Sequence, residues 1–124
     1  ALKGPPPAEQ GAEHRRVEVT PPLLFRYSAL TFNGHRIHYD RRYATEVEGY
    51  PGLIVHGPLQ AAWLAAYAAD LRGSAPTRFT FRGLSPLFDE DVIAVHATAD
   101  GDTLRLWTAR EGGPVAMSAE ARWD

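Results

Sequence analysis

Between Gly57 and Gly73 the chain reads GPLQAAWLAAYAADLRG, and this segment limits the folds open to the rest. Gly57 suits a helix N-cap, Pro58 the first helical position and Gly73 the C-terminal cap. Leu59, Ala62, Trp63, Ala66, Tyr67 and Leu71 recur at helical spacing and predict an apolar face. Ala61, Leu64, Ala65 and Ala68 fill the other side. A helix apolar all round is expected to be buried on most sides. At ~1.5 Å per residue it is about 22 Å long, enough to run under a curved sheet.

After Gly73 the period changes. Thr77 to Phe81 alternates, with Phe79 and Phe81 on one face, and Asp89-Glu90-Asp91 marks a turn. Residues 92–99, 103–110 and 114–122 then read as strands. Asp100-Gly101-Asp102 and Glu111-Gly112-Gly113 are tight hairpin links between them. The expected class is α+β, an antiparallel sheet wrapped around one long central helix over residues 57–72.

Upstream, residues 1–16 (ALKGPPPAEQGAEHRR) read as a Pro-rich linker or tail, either a disordered end or a connection from a preceding unit. A single domain is then expected over residues 17–124. Val17 to Thr20 suits a short edge strand, closed by Pro21-Pro22. Tyr27 to Thr31 fits a helical turn or extended chain equally. Net charge is -2 with the signs interspersed, which gives no footprint for nucleic acid. The chain has no cysteine, so thiolate chemistry is excluded. The longest apolar run, Ala61 to Ala69, is about half a membrane span, and a soluble cytoplasmic protein is expected.

Chemistry-bearing residues concentrate between Thr31 and Gly57. His38 is the candidate for acid–base work, because its ordinary pKa lies near neutrality. Asn33 stands five residues earlier, so its amide can meet the imidazole or a substrate oxygen if the chain loops. The Gly57 N–H, at the positive end of the helix dipole, suits a carbonyl oxygen that gains negative charge. Together these groups could move protons beside a thioester. His35, Asp40 and His56 are further candidates, read as a solvated or phosphate-facing group, a cap or supporting group, and a turn-shaping residue ahead of any direct role. Asp40 can cap a short helix over Arg41 to Val47. His96 falls mid-strand and reads as structural. His35 and His38 lack companions for a metal site, so no metal is expected. No Gly-x-Ser-x-Gly motif anchors an acyl-serine mechanism.

The run FNGHRIHYD (Phe32 to Asp40), followed by Ala44, Gly49 and Val55-His56-Gly57-Pro58, resembles the MaoC-like (R)-specific hydratases and dehydratases of the hot-dog superfamily. That family's motif is an acid, then Asn-Pro-Ile/Leu-His with the acid five residues before the histidine, then His-Gly at the helix start. SALTFNGHRIHYD is more narrowly similar to the mesaconyl-C4-CoA/itaconyl-CoA hydratase and 3-hydroxyacyl-thioester dehydratase type 2 group. The resemblance spans roughly residues 23–122, with its core at 27–60. It implies that His38 is the catalytic histidine and that the Gly57 N–H polarises the thioester carbonyl. Asn33 falls where most members carry the catalytic aspartate. An amide cannot be a general base, so Asn33 is left to position water or a 3-hydroxyl. His35-Arg36 replaces the family's Asn-Pro.

The resemblance implies reversible hydration of an α,β-unsaturated acyl-CoA, or dehydration of a 3-hydroxyacyl-CoA. The thioester is carried by CoA or an acyl carrier, and no cofactor is needed. The alternatives are a catalytically weak acyl-CoA-binding or partner subunit, and a thioesterase using Asp40, Glu46 or Glu48. The narrower group looks like a tandem of two units, of which the motif-bearing one is present here. A homodimer, or a heterodimer with a second hot-dog unit, is therefore expected. Arg36, Arg41, Arg42, Arg78 and Arg82 are candidates for CoA phosphates. Trp63, Tyr67, Phe79 and Phe81 are expected to close the acyl pocket.

Overall fold

The computed structural model describes residues 4–124. Five strands, β1 (Glu13–Val17), β2 (Arg78–Gly83), β3 (Ile93–Asp100), β4 (Thr103–Arg110) and β5 (Val115–Arg122), form one antiparallel sheet. Their order is β1-β3-β4-β5-β2. The sheet wraps α2 (Gly57–Arg72), and the predicted α+β architecture is what the chain adopts.

The two hairpins follow from their glycines. Gly101 and Gly112 take φ of 60° and 72°, a left-handed conformation that a Cβ penalises. Alternation then decides the inner face. Val95 and Ala97, Leu104 and Leu106, and Met117, Ala119 and Ala121 all point at α2 and bury against Ala61, Leu64, Tyr67 and Ala68.

The buried face of α2 differs from the expected one. Leu59, Gln60, Ala61, Leu64, Tyr67 and Ala68 are buried, whereas Ala62 and Ala66 are exposed. Alanines fill so much of the helix that hydrophobicity alone does not mark a face; the bulk of Leu64 and Tyr67 does. The helix also begins one residue earlier in its capping frame. His56 is the N-cap, Gly57 the first helical residue, and Gly73 closes the helix at φ 78°.

Two corrections concern the N-terminal part. The sheet begins inside the stretch read as linker, because Glu13–Val17 pairs with β3 from Ala97 to Ile93. The strand expected over residues 17–20 contributes only Val17, the last residue of β1; residues 18–20 lie outside it. Pro21-Pro22 opens a helix, α1 (Pro21–Leu30), with the Thr20 hydroxyl accepting the Leu23 N–H at 3.2 Å. Proline at the first helical positions loses no hydrogen bond, since those N–H groups are orphans anyway. Leu24 of α1 then joins Ala44, Leu53, Val55, Leu59, Leu87, Ile93 and Ala116 in a second buried cluster. That cluster joins α1, the polar stretch through Ala44, Leu53 and Val55, the first turn of α2 through Leu59, and the sheet.

Among the described residues no helix is long and apolar enough to cross a membrane.

Candidate active site

A 3-10 turn, Arg36–His38, holds the first candidate residue. Its backbone is tied to the segment before α2, because the Ile54 N–H donates to the Ile37 carbonyl at 2.9 Å. Ile54 returns a second contact: its carbonyl accepts a hydrogen bond from His38 Nδ1 at 2.7 Å. A carbonyl only accepts, so Nδ1 carries the proton, and neutral His38 presents a bare Nε2 as its base atom. His38 is nearly buried. Burial lowers its pKa below the ordinary 6.5, the Ile54 bond works against that, and His35 adds a smaller lowering effect. Above pH 6.5 Nε2 is therefore free to take a proton.

The segment that presents Ile54 is itself pinned. The Val55 N–H donates to Leu87 O at 2.9 Å, and Asp89 Oδ1 accepts the Leu53 N–H at 3.0 Å. The buried Asp89 carboxylate also pairs with Arg41.

His56 is fully buried beside this turn. Its ring stacks on His38, centroids 3.8 Å apart and planes 16° from parallel. Its Nε2 shares a 2.7 Å hydrogen bond with Ser28 Oγ. Burial, and then the neighbouring His38, push its pKa down to about 4, so His56 is neutral at physiological pH.

Gly57 follows directly. As the first helical residue it has an N–H without an intrahelical acceptor. Pro58 supplies no N–H at the next position, so the Gly57 donor stands apart from its neighbours. A Cβ built there would meet nothing nearer than Met117 Cε at 3.9 Å. Gly57 lines a cavity of about 300 Å³ together with Val55, Gln60, Leu84, Ala116 and Met117, among others.

The remaining candidates take other places. Asn33 is half-buried; its Oδ1 accepts the His35 N–H at 3.0 Å, and its own N–H donates to Ser28 O at 2.8 Å. The amide oxygen is thus engaged in shaping the turn. The His35 ring lies 6.0 Å from His38, edge on. Asp40 caps the helical residues that follow, accepting the Tyr43 N–H at 3.1 Å, and pairs with Arg36 at 3.0 Å. Backbone bonding and Arg36 hold its carboxyl below the usual range. His96 sits on the outer sheet face, stacked on Trp107 at 5.5 Å.

Four of the five candidate arginines are met by carboxylates: Arg36 by Asp40, Arg41 by Asp89, Arg42 by Glu46 and Arg78 by Asp124. Arg82 lines a groove on the sheet's other side, beneath Pro5 to Gln10. Trp63 and Tyr67 pack with the main core and Phe79 packs against it, while Phe81 is 54% exposed. None of the four lines the cavity at Gly57; Leu84, Met117 and Gln60 are there instead. Among the described residues no group of three or more His, Asp and Glu could hold a metal ion.

Sequence reasoning passed over Ser28, Gln60 and Asp89. Ser28 sits 28 residues from the ring it bonds, and no local pattern marks it. Gln60 carried a weak signal as a polar residue inside an apolar helix; its Oε1 accepts a buried 2.8 Å bond from Thr108 Oγ1.

The pattern of the hydroxyacyl-thioester dehydratase type 2 family matches residues 1–89. The mesaconyl-C(4)-CoA hydratase of Chloroflexus aurantiacus is 46% identical over 122 residues, which is 95% of this chain and 44% of that protein. The mitochondrial hydroxyacyl-thioester dehydratase type 2 of Schizosaccharomyces pombe is 38% identical over 94 residues, 73% of this chain and 30% of that one. The chain spans less than half the length of these curated relatives. An (R)-hydratase from A. caviae involved in PHA biosynthesis superposes with a TM-score of 0.75 at 20% identity, covering 94% of this chain and 98% of that chain. That likeness identifies the architecture as the hot-dog fold.

Proposed function

The chain belongs to the hydroxyacyl-thioester dehydratase type 2 family, within the MaoC-like hot-dog proteins, and on that premise we propose that it catalyses the reversible addition of water to a 2-enoyl thioester. The observation that carries the proposal is the bond from His38 Nδ1 to the Ile54 carbonyl, which leaves Nε2 as a base on a ring stacked directly against His56, the residue preceding Gly57.

The steps balance on these two groups. His38 Nε2 takes a proton from water as the water oxygen bonds to C3. The double-bond electrons move toward C2 and the thioester oxygen, where the Gly57 N–H and the helix dipole hold the negative charge. The proton on Nε2 then passes to C2, giving the 3-hydroxyacyl thioester and restoring neutral His38. Dehydration runs the same path backwards. Asn33 contributes through its amide NH2, positioning water or the 3-hydroxyl, since its oxygen is engaged by His35. No carboxylate stands in the stack with His38, which argues against thioester hydrolysis: Asp40 is committed to Arg36 and to its cap.

The unit works paired with a second hot-dog unit, either its own copy or one lacking the motif. The share of the longer relatives that it matches supports such pairing. The soluble compartment of the cell suits this chemistry. The test is to give the purified protein crotonyl-CoA and 3-hydroxybutyryl-CoA in turn, following enoyl absorbance and free thiol while solution mass is measured. Interconversion without thiol release is expected. Thiol release from either substrate, or no interconversion by any paired form, would overturn the proposal.

A further inference from the structure

His56 is held on three sides. Tyr27 meets its ring edge-on with centroids 4.7 Å apart, Ser28 Oγ bonds Nε2 at 2.7 Å, and His38 lies flat against it at 3.8 Å. The first two contacts come from consecutive residues of α1, and the third is the candidate base. Among the described residues the ring's other nitrogen, Nδ1, is buried without a hydrogen-bond partner. Ser28 is therefore the polar handle on this ring among the described residues.

The backbone of the same residue is the N-cap of α2, and its carbonyl accepts the Gln60 N–H at 3.1 Å. The plane of the His56–Gly57 peptide sets where the Gly57 N–H points. A ring locked by Ser28 restricts that peptide through its own Cα, and it also gives His38 a flat wall to lie on. One buried side chain thus touches both halves of the site.

We infer that Ser28 and His56 are positioning residues, a brace that aligns the His38 ring and the Gly57 N–H with each other. Neither residue takes or gives a proton in the reaction. The functional meaning of the brace rests on the hydration reading above, but its existence does not. A neutral His56 suits the task, because a charged ring in the stack would repel the imidazolium that His38 becomes in the first step.

The experiment combines kinetics with nitrogen NMR on protein labelled at histidine and glycine. Ser28→Ala removes the handle with little change in volume; Ser28→Thr keeps the hydroxyl; His56→Gln is a second variant that keeps a planar polar group. For Ser28→Ala the expected results are a roughly tenfold fall in kcat with KM little changed, and moved signals for the His38 ring nitrogens and the Gly57 amide. Ser28→Thr should recover most of the rate. An unchanged kcat in Ser28→Ala and in His56→Gln would overturn the brace, as would His38 and Gly57 signals that stay fixed while His56 alone shifts. Absence of interconversion by the unaltered protein in any paired form would instead remove the hydration reading, and the His38 and Gly57 signals in Ser28→Ala would still decide whether the brace exists.

Discussion

Replacing Asp89 by alanine tests how the site's scaffold is held. The Asp89 side chain is 2% exposed and that of Arg41 is 42% exposed. Asp89 Oδ1 accepts the N–H of Leu53, a residue that is itself buried. Alanine leaves that N–H without a partner, at a cost of about 1–3 kcal/mol. Arg41 can turn to water, so losing the ion pair adds only about 1 kcal/mol. The expected loss is about 3 kcal/mol, or about 12 °C in Tm at roughly 4 °C per kcal/mol for a domain of this size. Asp89→Asn keeps an acceptor for Leu53 and should cost about 1 kcal/mol. Gly52→Ala attacks the same joint from the other side, since its Cβ would lie 2.7 Å from Asp89 Oδ1. Urea unfolding followed by circular dichroism measures all three, with the midpoint falling at constant slope. An Asp89→Ala loss under ~0.5 kcal/mol, or an Asp89→Asn loss equal to it, would refute the assigned role.

Three further outcomes follow from the geometry. His56 has a folded pKa of about 4 against an ordinary 6.5, so the unfolded chain binds the extra proton between those values. Its contribution is complete above pH 6.5 and is lost as pH falls toward 4, at most about 3 kcal/mol, and urea unfolding of His56→Gln should show a shallower slope with pH. Leu64, fully buried against the sheet, should cost about 3 kcal/mol as alanine in the same assay. Gly73→Ala forces a Cβ into φ 78° and should lower stability by about 1 kcal/mol, read as a fall in Tm of roughly 4 °C.

The central helix and the hairpin strands were legible because their signals are local. Pro58 and Gly73 bracket α2, and Thr103 to Arg110 is a strand with the predicted ends. Helix α1 was open to the same reasoning, since Thr20-Pro21-Pro22 is an N-cap followed by prolines at the first helical positions. The strand-breaking meaning of proline obscured it. The buried face of α2 was ambiguous in a run of alanines, where packing partners and not hydrophobicity choose the side. His38 and Gly57 could be singled out from residue type and position. Their supports could not: Ser28, Ile54 and Asp89 act through contacts that span 28, 16 and 36 residues of chain. Asn33 was visible as a polar residue at the right offset, but its Asx-type bond to His35 emerges only once the turn is folded.

The most direct measurement is the turnover of a 2-enoyl-CoA by His38→Ala beside the unaltered protein, with circular dichroism to show that both are folded. General acid–base catalysis by a placed imidazole contributes about 10²- to 10⁴-fold. A loss of at least that order is expected in His38→Ala, with substrate binding retained. A folded His38→Ala variant that hydrates the enoyl thioester at the full rate would contradict it.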